Sequence, residues 1–323
     1  MDKKVLVTGA TGFLGAHLMS QLDLKKVRVL AKDNLPEVEV DFIKGSILEE
    51  ESVKRAVEGV VAIYHLAGKV VREPDDVSEL YRVHVEGTSL LCRAAKEAGV
   101  KRIVLASTSG TIAVSSDGDR VLNETDGTPL SLIGKWPYYT SKLYQEQVAR
   151  KECRGGPELI ILNPSLLLGP GDRKLSSTGD ILKFLVGDVP IIPPGGVSFV
   201  DVRDVAEAFT SAMERGKPGQ CYLLGGPNWT FSKFFDRLGR ISKVKGPTVK
   251  LPKALYRLTG TVANTFYDHW KRASSIDRVS LEMSECFWYL DASKAERELG
   301  FRSRDPHQTL NETVSYIKRE FLD

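Results

Sequence analysis

The sequence predicts an α/β protein built on a doubly wound parallel sheet, with a smaller, mainly helical C-terminal cap. Three observations predict it. Up to about residue 165, short apolar runs alternate with helical stretches, the rhythm of a βαβ series. The first apolar run leads straight into a glycine turn that opens a helix, Thr8-Gly9-Ala10-Thr11-Gly12-Phe13-Leu14-Gly15. Beyond about residue 165 the alternation weakens and aromatic-rich helical sequence follows.

Each element has its own local reason. Val5-Leu6-Val7 reads as a buried strand, followed by a helix over about 13–23. Val27 to Ala31 gives a second strand and Val38 to Ile43 a third, with a helix over 49–58 after it. Val61 to Leu66 is the fourth strand. A helix over about 77–98 stops at Gly99, a residue that readily takes the left-handed conformation of a helix end. Ile103 to Ala106 is strand five, a helix covers 138–152, and Leu159 to Leu162 is strand six. Pro190, Pro193-Pro194 and Gly195-Gly196 mark loops. Phe199 to Val202 and Cys221 to Leu224 read as strands returning to the sheet. Trp229, Phe234, Phe235, Phe266, Tyr267, Trp270 and Trp288 supply a cap core. The chain thus divides into 1–165 with 196–225, the sheet domain, and 166–195 with 226–323, the cap.

Composition excludes several classes. The 323 residues carry 45 Lys and Arg against 42 Asp and Glu, a net charge of only +3, without the basic excess of a nucleic-acid binder. Cys92, Cys153, Cys221 and Cys286 are dispersed with no CxxC pair, so reduced core thiols are expected and no metal site. No run of 18 apolar residues suggests a membrane span. Met1-Asp2-Lys3-Lys4 leads directly into the first strand, so a soluble cytoplasmic protein is expected.

The glycine turn has the spacing GxxGxxG. Gly9 can make the tight turn, Gly12 lets backbone amides approach a pyrophosphate, and Gly15 permits close helix–strand packing. Thr11, Phe13 and Leu14 lie in the same turn. The helix N-terminus favours the negative phosphates, so this segment points to a dinucleotide. Cofactor choice is read at the end of strand two, Leu30-Ala31-Lys32-Asp33. Ala31 stands where an acid would hold the ribose of NAD, and Lys32 follows it, which favours NADP(H) over NAD(H) although Asp33 adjoins.

Tyr138-Tyr139-Thr140-Ser141-Lys142 opens the helix after strand five. Tyr138 and Lys142 share one helix face at i and i+4, with Tyr139 a rival at i+3. A nearby ammonium, with an oxidised cofactor's positive charge, would lower a phenol that normally titrates near 10 and make it a workable acid/base. Ser107-Thr108-Ser109 ends strand five, where a doubly wound sheet places its ligands.

These residues together resemble the extended short-chain dehydrogenases/reductases. Thr8 to Gly15 matches the family's TGATGFxG, and His65-Leu66-Ala67-Gly68 its turn after strand four. Gly87-Thr88, Tyr138 with Lys142, and Gly169-Pro170-Gly171 follow in the family's order. Val200 to Ala206 and Asp291 to Ala295 complete it. The resemblance implies a Rossmann-type sheet, with Tyr138 as acid/base and Lys142 holding the nicotinamide ribose. It puts the catalytic hydroxyl on Thr108, with Ser107 and Ser109 as the fallback candidates one position to either side. It also implies cofactor contacts at Ser46, Ile47, Leu66, Ala67, Gly68 and Pro164, and substrate contacts at Ser109 and Leu166.

The departures direct the choice of branch. Lys44-Gly45-Ser46-Ile47 lacks the family's Asp after strand three, and His84 replaces a common Asn. Sugar-nucleotide enzymes usually carry RPxNVYGP after strand six; here Leu166 takes the Asn position in Asn163 to Pro170, and leucine cannot donate a hydrogen bond to a diphosphate. Ser107 to Thr111 is close to the TSSAGT of dihydroflavonol reductases. The expectation is an NADP(H)-dependent reductase or dehydrogenase acting on a carbonyl or secondary alcohol of a small, fairly apolar substrate. An NAD-dependent sugar-nucleotide epimerase is the alternative; a non-catalytic cofactor-bound sensor or scaffold is a third reading. The polar loop 115–137 is expected to help close the site. The resemblance also implies a homodimer through the helices near 77–98 and 138–152.

Overall fold

The computed structural model describes residues 4–32, 39–71, 76–189, 191–247, 249–250 and 278–322. Asp33, Val38, Pro190, Phe266, Tyr267 and Trp270 lie outside the described residues.

Seven parallel strands form the central sheet. In chain order they are β1 (Lys4–Thr8), β2 (Val27–Ala31), β3 (Asp41–Lys44), β4 (Val60–His65), β5 (Arg102–Ala106), β6 (Glu158–Pro164) and the strand Cys221–Leu224. In space the order is Cys221–Leu224, β6, β5, β4, β1, β2, β3. The order reverses between β1 and β4, so the crevice beyond their carboxyl ends is the natural ligand site. Register aligns those ends: Thr8 faces His65, His65 faces Leu105, and Pro164 faces Leu224.

Leu6, Val7, Ile63, Ile103, Val104, Ile160 and Ile161 are all buried, so both faces of the sheet are covered. On one face Leu18 of α1 (Phe13–Met19) and Phe209 of the helix Val202–Arg215 pack with Tyr222. On the other, Val53 of α2 (Glu50–Val57), Leu91 of the helix Gly87–Glu97 and Ala149 of the helix Pro137–Glu152 pack with Leu105. Truncating a fully buried aromatic such as Phe209 to Ala costs about 3–5 kcal/mol in such a setting.

Four sequence expectations are corrected. The first helix ends at Met19 rather than 23, because Ser20 bonds back to close it and the chain turns. Strand three begins at Asp41 rather than 38; its carboxylate is held by Lys4 and Arg28 across neighbouring strands, fixing the start of pairing. The helix expected over 77–98 contains a wider π turn, Arg82–Glu86, between the α segments Val77–Tyr81 and Gly87–Glu97. Such turns often mark functional sites, and His84 sits at its centre.

The fourth correction concerns the strand expected at Phe199 to Val202. It runs Gly196–Asp201 and does not join the central sheet. The open edge of β6 is taken by Cys221–Leu224. Gly196–Asp201 instead forms a separate small sheet with β7 (Leu166–Leu168), Asn228–Thr230 and Phe287–Trp288. Val202 starts the next helix, which Asp201 caps by accepting from the Arg203 amide. Phe184, Phe199, Trp229, Phe234, Leu310 and Ile317 make the core beneath this sheet. The helix Ser293–Leu299, within the stretch read as cap, packs on the central sheet, with Ala295 and Leu299 beside Tyr222. Lys294 Nζ fixes it there, donating to the carbonyl of Cys221 at 2.8 Å.

None of the four cysteines is in a disulfide; Cys92, Cys153 and Cys286 are buried. Among the described residues no helix is long and apolar enough to cross a membrane.

Candidate active site

A cleft of about 1650 Å³ runs across the carboxyl ends of β1, β4, β5 and β6 and on toward the small sheet. Small-ligand pockets usually hold roughly 300–1,000 Å³, so a dinucleotide and a second molecule both fit. One end is the glycine turn. Gly9 has φ of +76°, and a Cβ there would stand 2.5 Å from the Leu66 carbonyl carbon. A Cβ on Gly15 would stand 2.0 Å from the Gly9 carbonyl oxygen. Glycine at 9 lets the turn lie against the Leu66–Ala67 backbone beyond β4, and glycine at 15 lets α1 close on the turn. No side chain caps α1 at Gly12, so its first amides are left to the cleft, the arrangement a pyrophosphate requires.

Thr11, Phe13, Leu14 and exposed Lys32 line this end, with Ser46 and Ile47 beyond β3 and Leu66, Ala67 and Gly68 beyond β4. The Ser46 hydroxyl accepts from the Leu48 amide, so it also shapes its own turn. Ile47 explains the glycine of Gly87-Thr88: a Cβ on Gly87 would stand 2.7 Å from the Ile47 Cδ1.

The middle of the cleft holds Thr108, Tyr138 and Lys142, with Pro164 and Ser109 nearby and Leu166 toward the small sheet. All the site residues expected from the sequence therefore meet in one cleft. Pro137 begins the helix at a position where its missing amide costs nothing. Lys142, one turn after Tyr138, is buried. Its Nζ donates to the Ala106 carbonyl at 2.8 Å and to Gln145 Oε1 at 2.7 Å. An ammonium has three N–H groups, so one is left for the cleft. Burial pulls Lys142 down to about 8, partly opposed by the Glu146 carboxylate.

Lys142 by itself does not lower the Tyr138 phenol. Burial, with Tyr139 beside it, pushes it upward. Lys142 directs its bonds elsewhere, so the ammonium alone does not offset desolvation. Tyr139 packs among Tyr138, Trp136 and Trp288. Its ring fills the space beside Gly110, where a Cβ would stand 2.1 Å from it. Thr108 Oγ1 accepts from the Gly110 amide at 3.3 Å. Ser107 instead donates its hydroxyl to Glu146, so that neighbour is committed to structure.

Two buried chains of hydrogen bonds frame the centre. In the first, the Lys69 amide donates to His84 Nε2 at 3.1 Å. An amide can only donate, so the proton of the neutral ring is on Nδ1, which donates to Ser141 Oγ at 2.8 Å. Ser141 in turn donates to the Tyr138 carbonyl at 2.8 Å. Burial and the Lys142 charge hold His84 down to about 2, so it stays neutral. In the second chain Gln145 Nε2 donates to Thr88 Oγ1 at 2.9 Å, Thr88 meets His65 Nε2 at 2.9 Å, and His65 Nδ1 meets Thr8 Oγ1 at 2.7 Å. Burial likewise pulls His65 down to about 3. The sequence reading missed Gln145 and Glu146; their signal was their spacing of three and four residues from Lys142 on one helix.

Residues 5–225 match the family described as NAD dependent epimerase/dehydratase. A Synechocystis sp. protein provisionally named a dihydroflavonol 4-reductase is 32% identical over 97% of this chain and 94% of its own. Cinnamoyl-CoA reductase 1 of Oryza sativa subsp. japonica is 30% identical, covering 68% of this chain and 70% of its own. The crystal structure of gox2253 superposes with a TM-score of 0.85 at 29% identity, covering 99% of both chains. The chain belongs to the NAD dependent epimerase/dehydratase family, the extended short-chain dehydrogenases/reductases, in its dihydroflavonol-reductase-like branch of NAD(P)-dependent enzymes.

Proposed function

We propose that the protein is an NADP(H)-dependent reductase or dehydrogenase that interconverts a carbonyl and a secondary alcohol on a small, fairly apolar substrate. The observation that carries this reading is the meeting of Thr108, Tyr138 and Lys142 beside the glycine turn, in a cleft that continues past several apolar side chains. When bound, the nicotinamide cofactor supplies or accepts the hydride. The protein's own residues do the rest. In the reducing direction the Tyr138 hydroxyl gives its proton to the developing alkoxide. The Thr108 hydroxyl, already accepting from the Gly110 amide, donates to the same oxygen and orients it. Lys142 turns its remaining N–H toward the cofactor ribose and favours the tyrosinate left behind.

Lys32, exposed on the cofactor end, supports NADP(H) through attraction for a 2′-phosphate. Ile181, Val197, Phe231, Phe234, Met283 and Trp288 line the far end and support an apolar substrate. Leu166 lines the wall there, where a sugar nucleotide would need a donor. The helices 77–97 and 137–152 support a homodimer: Tyr144, 48% exposed, lies against Tyr81 at the surface.

Cofactor titration followed by a ketone panel tests the reading. NADPH is to be oxidised by wild type and not by Tyr138→Phe. Tight retention of NAD without net turnover would favour the epimerase instead, and light scattering checks the dimer.

A further inference from the structure

Glu146 lies one turn beyond Lys142 on the same helix and is 7% exposed. One of its oxygens, Oε1, is the meeting point of three groups. Ser107 donates its hydroxyl to it. Thr111 Oγ1 lies 2.9 Å away and Asn163 Nδ2 2.8 Å. Thr111 and Asn163 also reach the Thr108 carbonyl, at 2.9 and 3.1 Å. Ser107 and Asn163 can donate to this oxygen together, and Thr111, with one hydroxyl proton, donates either to it or to the Thr108 carbonyl; an oxygen so placed suits an ionised carboxylate. Its partners stand on the turn after β5 and on β6, which is to say on both sides of Thr108.

We propose that Glu146 is a positioning residue of the active site: it clamps the ends of β5 and β6 to the helix bearing Tyr138 and Lys142, and it is the buried counter-charge that keeps Lys142 an ammonium. The inference rests on the reductase reading for its kinetic consequence, but not for the charge it assigns.

The surroundings of Lys142 leave this task to Glu146. From β4 it meets His65, and from the π turn His84, both neutral. From β5 it meets the carbonyl of Ala106, an acceptor without charge. On its own helix stand Tyr138, a neutral phenol pushed upward by burial, and Glu146. Burial favours the uncharged amine, and Glu146 is the group that opposes it.

Two variants separate the clamp from the charge. Glu146→Gln keeps an acceptor of the same size and removes the charge, whereas Ser107→Ala keeps the charge and removes one arm of the clamp. The direct readout is the titration of Lys142 followed by NMR of ¹³Cε-labelled lysine in the cofactor-free protein, which needs no substrate. Glu146→Gln is expected to move the Lys142 midpoint to lower pH by on the order of one unit, and Ser107→Ala to leave it in place. With a turned-over ketone, the alkaline limb of kcat is expected to shift likewise in Glu146→Gln. Ser107→Ala is expected to lower kcat roughly tenfold or more without moving the limb. Should Glu146→Gln not fold, Glu146→Asp keeps the charge and shortens the clamp, with the outcome of Ser107→Ala. An unmoved Lys142 midpoint in Glu146→Gln overturns the counter-charge; wild-type kcat in Ser107→Ala and Glu146→Asp overturns the clamp. If no ketone is turned over, the reductase reading fails by itself while the Lys142 titration still decides the counter-charge.

Discussion

Lys142 Nζ donates a 2.8 Å hydrogen bond to the main-chain carbonyl of Ala106, the last residue of β5. The bond joins the helix that carries the proposed acid/base pair to the strand end next to the proposed catalytic hydroxyl. A side chain that ties two elements together, and that we propose to hold the cofactor, has consequences for stability as well as rate.

Stability should therefore depend on pH through Lys142. Its folded value is about 8 against an ordinary 10.5. Between these values the unfolded chain binds the proton that the folded chain has lost, so raising the pH through this window stabilises the fold. Below it the burial penalty is present in full. Lys142→Met removes the penalty, so its Tm relative to wild type is expected to be highest near pH 7 and to decline toward pH 10. Scanning fluorimetry across this range checks it, and a pH-independent offset refutes it. Its kcat/KM is expected to fall roughly 10²–10⁴-fold.

His84 should be replaceable by a residue that can bond twice, and not by one that cannot. It accepts from the Lys69 amide and donates to Ser141. His84→Ala leaves those groups without their partner, at about 1–3 kcal/mol by urea unfolding. His84→Asn offers both an acceptor and a donor and is expected to recover part of that loss. Equal losses in the two variants would mean that ring packing against Tyr138, at 6.0 Å between centroids, matters more than the bonds.

Gly15 and Gly127 require glycine for different reasons. Gly15→Ala drives a methyl group against the Gly9 carbonyl and is expected to weaken NADPH binding by about tenfold or more, the consequence of about 1–3 kcal/mol of overpacking. Gly127, at φ of +75°, has nothing near the place of a Cβ. Gly127→Ala is expected to lose stability through backbone strain alone, with wild-type binding in a fluorescence titration. Equal effects on binding would deny the turn its special role.

Lys32→Ala should act on one cofactor. Removing an exposed cation that faces a 2′-phosphate is expected to lower the affinity for NADPH by roughly five- to tenfold and to leave NADH unchanged. Added salt should narrow the difference between wild type and variant. Equal losses for both cofactors would remove Lys32 from the 2′-phosphate.

Much of this was legible in the sequence, because βαβ periodicity and glycine spacing are local signals. The six strands before residue 165 and the glycine turn are examples. Pairing choice is not local. Nothing within Phe199 to Val202 says that Cys221–Leu224 has taken the edge of β6, so a buried apolar run was read as a return to the central sheet. The same limit hid the partners of Lys142. Gln145 and Glu146 look like ordinary helix residues until β5, β6 and Thr88 are brought against them. Asp201 and Asp204 stood out as a motif, yet their bonds to Arg203, Thr309 and Arg304 give them a structural task.

The buried chain from Thr8 through His65, Thr88 and Gln145 to Lys142 crosses four separate segments of the polypeptide. Those segments cannot be exchanged one at a time. A chimera that imports the helix 137–152 from a relative brings Gln145's replacement to a Thr88 it did not come with, and breaks the chain at a link between two fully buried side chains. Recombination within such a protein is safest when β1, β4 and both helices travel together, which makes this line of side chains a boundary on how the enzyme can be rebuilt.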